Sequence, residues 1–275
     1  MKNLLAAALL LAAARPVHAQ GVVIGPTLVI VDARIRTTSV VVYNPNTEPV
    51  EVALSTFYGY PVTDSLGQPA LKTVDKPDSS DRSAVGWVQV FPRRFTLAPK
   101  ADQTVRVLVS PPAGLADGEY WGRLVIASKA AAPPVQPKPD STGVSVTFNI
   151  EVRAIIPIIV RVGKPATSVT ISDLRATVMR DSLVTRSRIV RHGSAAYLGT
   201  ILGELVDSTG KVRSSFETPT AVYYEIEPRL AAPLKGLPSG SYWLRYRVDA
   251  SRNELGPGVI LRAPPAVDSI PVRLP

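Results

Sequence analysis

Residues 144–161 read Val-Ser-Val-Thr-Phe-Asn-Ile-Glu-Val-Arg-Ala-Ile-Ile-Pro-Ile-Ile-Val-Arg, and this stretch decides how the chain folds. From Val144 to Arg153 apolar and polar residues alternate without interruption. Because successive side chains of a β-strand point to opposite faces, the pattern predicts a long strand with one continuous apolar face. The residues on that face are Val144, Val146, Phe148, Ile150 and Val152. An apolar strand edge of this length recruits another chain unless the fold covers it.

The remainder of the chain also reads as β structure. It is rich in valine and threonine, contains 26 prolines and shows no sustained helical periodicity after residue 20. We therefore predict an all-β fold made of sandwiches. The segment 64–84 is predicted to be a long polar excursion, and 129–143 a loop rich in proline and alanine. The other predicted strands are 28–31, 39–43, 50–56, 87–90, 103–109, 183–190, 197–206, 212–216, 221–227, 242–248 and 270–274.

One motif occurs twice and divides the chain. Residues 114–123 and 236–245 both fit the pattern G-L-x-x-G-x-Y-W-x-R. This repeat predicts two domains of one architecture, 20–162 and 168–275, joined by a short linker that Pro165 stiffens. A tyrosine at the corner that enters a late strand is a feature of immunoglobulin-like sandwiches. We therefore predict that both Tyr-Trp pairs are core and corner residues, not a platform for a ligand.

Residues 1–19 are predicted to be a secretory signal peptide, so the protein is expected to be exported. Lys2 supplies the positive start, residues 4–14 the apolar core, and Val17-His-Ala19 a small-x-small cleavage site. The chain contains no cysteine, which excludes thiol chemistry and disulfides. Its formal net charge of +9 favours acidic partners or anionic surfaces.

The sequence favours a protein without catalytic residues, bound metal or cofactor. His192 is the one histidine left after the signal and is predicted to lie in an exposed loop. Glu225 and Glu227 share a strand face without an apolar pocket, and no P-loop or dinucleotide fingerprint is present. The basic run between Arg175 and Arg191 lacks the interleaved aromatic residues that stack on bases. We therefore expect neither a nucleic acid nor a small-molecule substrate.

The first domain resembles the periplasmic chaperones of the chaperone/usher pilus pathway, as a divergent member. The resemblance covers roughly residues 25–162. It rests on Asn44 after the second strand, the Leu97-x-Pro99 turn, the late strand opened by the motif at 118–123, and the final strand ending in Pro157-Ile-Ile-Val-Arg161. It implies two immunoglobulin-like domains and a non-enzymatic periplasmic protein that lends its last first-domain strand to an unfinished pilin sandwich. The implied partners are pilin-like or other β-sandwich subunits and an outer-membrane usher.

The resemblance also implies an anchor for the terminal carboxylate of the pilin. The family uses an arginine early in the first strand, but the corresponding position here is Leu28, which cannot bind an anion. Arg34 and Arg36 are nearby substitutes. For the second anchoring cation, Arg153 is the candidate, because it follows the apolar stripe where the strand is expected to enter the cleft between the domains.

In a second interpretation of the same sequence, the protein is not a chaperone. The stripe would cover the core of its own domain, as in any half-buried antiparallel strand, and the protein would be an exported structural or adhesive protein with two self-contained sandwiches. In the chaperone interpretation, the free protein could also cap its exposed strand by forming a self-dimer.

Overall fold

The computed structural model describes residues 21–131, 150–256 and 258–275. The predicted signal peptide lies outside the described residues, as do Val144, Val146 and Phe148 of the predicted strand. Within the described ranges the regular structure consists of strands β1 to β18 and one short 3-10 helix, Val85–Trp87. The all-β prediction is therefore confirmed. The same ranges contain no helix of sufficient length and hydropathy to cross a membrane.

The first ten strands form two facing sheets. One sheet has the order β1-β3-β8-β6, and the other has the order β2-β10-β9-β4-β5 with β7 also paired to β4. Their inner faces enclose a core of buried valine, leucine and isoleucine. The strands are β1 (Val23–Gly25), β2 (Val29–Asp32), β3 (Thr37–Tyr43), β4 (Val50–Thr63), β5 (Pro69–Val74), β6 (Val88–Phe91), β7 (Arg94–Leu97), β8 (Asp102–Val109), β9 (Gly118–Ala130) and β10 (Glu151–Val162).

The last eight strands form a second sandwich with its own core. One sheet has the order β11-β12-β15 with β16 paired to β12, and the other has the order β14-β13-β17-β18. The two-sandwich prediction is confirmed, whereas the exact boundaries at 162 and 168 stay a prediction. The strands are β11 (Thr167–Met179), β12 (Ser182–Gly193), β13 (Tyr197–Asp207), β14 (Val212–Val222), β15 (Glu225–Ile226), β16 (Arg229–Pro233), β17 (Gly240–Asp249) and β18 (Ala266–Leu274).

Several predicted elements differ from the structure. The segment 64–84 is not a continuous excursion, because β4 extends to Thr63 and pairs with β5 in a hairpin. The residues of β5 are half-buried or exposed, so the strand is held by backbone pairing and has no apolar periodicity to reveal it. β11 differs from β5, since Val169 and Leu174 are buried in the second core, but a register shift between Ser172 and Arg175 interrupts its apolar alternation. The predicted strand 221–227 is two strands, since the chain leaves one sheet after Val222 and enters the other at Glu225.

A third apolar cluster connects the two sandwiches. Tyr58, Trp121 and Ile159 from the first sandwich pack against Ala196, Leu198 and Tyr223 from the second. The Tyr58 and Tyr224 hydroxyls are 3.0 Å apart. The carboxylate of Glu119, 1% exposed, accepts from Arg161 Nε at 2.8 Å and from the backbone N–H of Ala196 at 3.0 Å. This interface fixes the end of β10 between the two sandwiches.

Candidate functional site

The candidate site is the strand β10, which is paired unequally on its two edges. Along its whole length, from Glu151 to Val162, it pairs antiparallel with β9. On its other edge it pairs with β2, in parallel, only from Ile158 to Arg161. Among the described residues, 151–157 therefore have no strand neighbour on that edge. An unpaired edge presents a row of N–H and C=O groups to which another strand can bond.

The backbone geometry shows which residues present those groups. The carbonyl oxygen of Arg161 accepts from the N–H of Ala33, at the end of β2, at 2.8 Å. Since N–H and C=O of one strand residue point to the same edge and neighbours alternate, Arg153, Ile155, Pro157 and Ile159 face this edge too. Pro157 stands immediately before the paired segment. Proline has no N–H to donate to a neighbouring strand and is therefore found at sheet edges. Pro157 accordingly lies at the position where the pairing of β10 with β2 stops.

The inner face of β10 becomes steadily more exposed towards its first residues. Val160 and Ile158 are fully buried in the first core and Ile156 is 6% exposed. Val152 is 39% exposed, and Ile150, just before the strand, is 61% exposed. The apolar face thus continues past the edge of its own sandwich. Of the predicted stripe, these two residues are not sealed in the core, and the other three lie outside the described residues.

On the opposite face, β10 runs into the cleft between the sandwiches. Ile155 and Pro157 line a cavity of about 630 Å³ together with residues of both sandwiches. Ile159 continues into the connecting apolar cluster, where it is fully buried. Leu28 lines the same cavity, at the position where the family resemblance implies an arginine. The other principal lining side chains are Leu71, Arg123, Leu198, Tyr223, Arg252 and Leu255.

The predicted anchors Arg153, Arg34 and Arg36 are not among the residues that line this cavity. Arg153 lies near the start of β10, where its Nε donates to Glu151 at 2.5 Å, and the residues of β10 that line the cavity, Ile155 and Pro157, come later. Its role as an anchor stays a prediction. Arg34 pairs with Asp32 at 3.0 Å, and this hydrogen bond lowers the pKa of Asp32 to about 2. Arg36 donates to the Ala33 carbonyl at 3.3 Å in the same turn.

Two cations line the cleft, Arg123 and Arg252, and neither is predicted from the sequence; Arg123 is the more deeply buried. Its side chain is mostly buried, its Nε donates to the Gly59 carbonyl at 2.9 Å, and its guanidinium lies 5.1 Å from the centre of the Tyr223 ring. No carboxylate pairs with it within the described ranges, whereas Arg252 in the same cleft pairs with Glu254. Arg123 closes the repeated motif, and its alternation with Trp121 could have placed both on the face opposite the first core.

The other candidates from the sequence have no catalytic setting. His192 lies on β12, not in a loop, because β12 extends to Gly193; its Nε2 is 3.0 Å from Thr170 Oγ1 on the neighbouring strand. Glu225 forms an ion pair with Arg188. In the parts of the chain that the structure covers, no group of three acidic, histidine or cysteine side chains is arranged to hold a metal.

Comparison with known proteins gives structural similarities only. A scan against family models and a search of curated proteins return no match. The YadV chaperone is 14% identical over 92% of this chain and 99% of its own length, with a TM-score of 0.46. The E. coli chaperone DraB is 14% identical over 93% and 98%, with a TM-score of 0.43. The complex of the Salmonella enterica SafA pilin with the SafB chaperone gives 15% identity over 93% and 98%, with a TM-score of 0.44.

Proposed function

We propose that this protein is a non-enzymatic periplasmic chaperone that binds incomplete β-sandwich subunits, such as pilins, through the open edge of β10. The subunit would add the missing neighbour of residues 151–157, and the protein would hold it until delivery to an outer-membrane usher. The single observation that carries the proposal is that β10 is covered by β2 over residues 158–161 and is open before them. No cofactor or nucleotide takes part in such strand pairing.

The exposed inner face supplies the apolar contact. Val152 and Ile150 follow the same alternation as the buried Ile156, Ile158 and Val160, so a subunit that continues the sheet receives them in its own core. Complete burial of one such side chain contributes about 1.5–3 kcal/mol, and the backbone hydrogen bonds fix the register. The stripe residues Val144, Val146 and Phe148 would extend this contact.

Arg123 completes the proposal as the anchor for a subunit carboxylate. It replaces Arg153, Arg34 and Arg36 in this role because it lines the cleft into which β10 runs. Its mostly buried guanidinium has no carboxylate partner among the described residues. A hydrogen-bonded charge pair in such a setting is roughly twice as strong as a neutral hydrogen bond, so a terminal carboxylate fits this position.

The first test places a charge on the open edge. The subunit is identified by co-purification with the chain from its native periplasm, and its affinity is then measured for purified Val152→Asp. We expect a loss of at least ~100-fold, because a buried carboxylate without a partner costs several kcal/mol in the complex. The free protein should unfold at nearly its original temperature, since Val152 is already 39% exposed.

The matched control is Val41→Asp on β3. Val41 is 41% exposed, belongs to the same sandwich and lies on the sheet that does not contain β10. It should leave both subunit affinity and stability nearly unchanged. Equal affinities for Val152→Asp and Val41→Asp would contradict the proposal and favour the exported structural or adhesive protein.

The second test concerns the anchor. Arg123→Met keeps the apolar stem and removes the charge, and we expect the affinity for the subunit to fall about 10- to 100-fold, as for a charged hydrogen bond of about 1.5–3 kcal/mol. Arg252→Met is the control in the same cleft, because Arg252 already pairs with Glu254, and it should have a smaller effect. The loss should vanish for a subunit whose C-terminal carboxylate is amidated. Equal losses with the native and the amidated subunit would exclude the anchor role.

A further inference from the structure

The repeated motif folds in the same way in both sandwiches. Its first glycines, Gly114 and Gly236, have φ values of 76° and 80°, and its second glycines, Gly118 and Gly240, have 152° and 155°. The tyrosine hydroxyls make the same corner bond, Tyr120 to the Ala116 carbonyl at 3.1 Å and Tyr242 to the Pro238 carbonyl at 2.8 Å. The next residue therefore points away from the core in both copies, which makes Trp121 and Trp243 equivalent.

In the first copy this outward face is an interface. Trp121 is fully buried, and its ring lies 4.7 Å from Tyr223 and 5.6 Å from Tyr224, edge to face in both cases. Arg123, two residues further along the strand, places its guanidinium over Tyr223. The tyrosine pair Tyr223 and Tyr224 therefore covers the tryptophan of the motif, and Tyr223 also covers its arginine. The chain itself shows which chemistry this face binds.

In the second copy the equivalent face is open. Trp243 is 52% exposed, so the prediction that it is a core residue is wrong. It stands in a row of apolar residues directly opposite one another on four adjacent strands: Val212, Val206, Trp243 and Pro271. Val206 is 2% exposed although it does not belong to the second core. We call this row together with Arg245 and Arg273 the Trp243 face.

The rim of the Trp243 face carries two exposed cations, Arg245 and Arg273, and neither forms an ion pair within the described ranges. The acidic residue directly opposite Arg245 on β13 is Glu204, which is half-buried and is not within ion-pair distance of Arg245. The chain as a whole has a net charge of +9, so a second copy would bring like charge to this surface. Charge complementarity favours an acidic occupant.

We propose that the Trp243 face is a docking site for a partner protein that presents tyrosine side chains next to carboxylates. Tyrosine against the indole and the guanidinium would reproduce the packing seen around Trp121 and Arg123, and the carboxylates would pair with Arg245 and Arg273. Exposed tryptophan and arginine are the side chains most enriched among residues that dominate protein interfaces. The site lies in the second sandwich, does not include β10, and goes beyond the strand-binding function.

The test uses the segment that covers Trp121 as a probe. A synthetic peptide with the sequence of residues 219–227, Pro-Thr-Ala-Val-Tyr-Tyr-Glu-Ile-Glu, contains both tyrosines and two glutamates. It is titrated into the full chain while the indole N–H signals of the three tryptophans are followed by NMR. We expect a saturable shift of the Trp243 signal, assigned with Trp243→Ser, and no shift of the buried Trp121. Both Trp243→Ser and Arg245→Glu should weaken binding at least ~10-fold.

Two altered peptides separate the contribution of the tyrosines to binding from that of the glutamates. Replacing both tyrosines by serine, or both glutamates by glutamine, should each weaken binding several-fold.

The absence of a saturable shift, or a shift that does not depend on the tyrosines, would overturn the proposal. Trp243-dependent binding to phosphatidylglycerol vesicles without peptide binding would assign the face to a membrane instead. A shift that depends on protein concentration alone would assign it to self-association. Subunit affinity plays no part in these measurements, so they stand apart from the test of β10.

Discussion

The two halves of β10 have the same alternation but different surroundings. Residues 158–161 lie between β9 and β2, and their inward side chains are fully buried. Residues 151–157 have β9 on one edge and no described strand on the other, and their inward side chains range from 6% exposed at Ile156 to 39% at Val152. The periodicity of a strand therefore does not decide whether its apolar face serves the core or remains available. The change in exposure coincides with the extent of the neighbouring strand β2, which pairs only with residues 158–161.

The largest expected difference between the halves is in stability. Ile158→Ala should lower the free energy of unfolding of the first sandwich by about 2–5 kcal/mol, because the cavity forms in a close-packed core. Val152→Ala on the same face should lower it by less than about 1 kcal/mol, since much of this side chain is already in water. Denaturant-induced unfolding of both variants, followed by circular dichroism, measures the difference.

Ile156→Ala adds an intermediate case to this comparison of unfolding free energies. Ile156 is 6% exposed but belongs to the half without β2, so its loss should fall between the other two. If Val152→Ala costs as much as Ile158→Ala, the open half is core, and the comparison between the halves fails.

Much of this organisation follows from the sequence. Alternation and turn residues predict the strands with one clear apolar face, and the repeated motif predicts two sandwiches with tyrosine corners. The strands it leaves out include β5 and β11. The residues of β5 are half-buried or exposed, so this strand depends on its pairing with β4, and the local sequence contains little of that information. β11 has inward apolar residues, but a register shift between Ser172 and Arg175 interrupts their alternation.

For the candidate site, the sequence predicts the strand and its apolar face but not the neighbours of that strand in the fold. The stripe and Pro157 indicate an edge strand, but the extent of β2, which leaves the edge open, is a property of tertiary pairing. The same holds for the anchor. The sequence points to Arg153 by its distance along the chain, whereas the cleft is formed where β10 meets the second sandwich, several residues later. The contrast between the buried Trp121 and the exposed Trp243 also depends on the docking of the sandwiches, which identical motifs cannot distinguish.

A smaller effect should appear in the hydrogen exchange of single amides. In the open half, the N–H groups of Arg153 and Ile155 point to the uncovered edge, whereas those of Ile159 and Arg161 point to β2. We expect the amides of Arg153 and Ile155 to exchange at least ~10-fold faster, which corresponds to about 1.4 kcal/mol of protection, because they lack a strand acceptor. Native-state exchange measured by NMR on the free protein gives these rates.

The amides on the other edge provide the internal control. Val152, Ala154 and Ile158 direct their N–H groups to β9 in both halves of the strand. If the first half simply frays, Val152 and Ala154 should exchange as fast as Arg153 and Ile155, and all four should be faster than Ile158. If the first half is a formed strand with one open edge, the rates should alternate along it, slow at Val152 and Ala154 and fast between them. Only the alternating pattern describes an edge that is already ordered in the free protein. Such an edge loses little conformational entropy on pairing, which is the condition for tight strand addition.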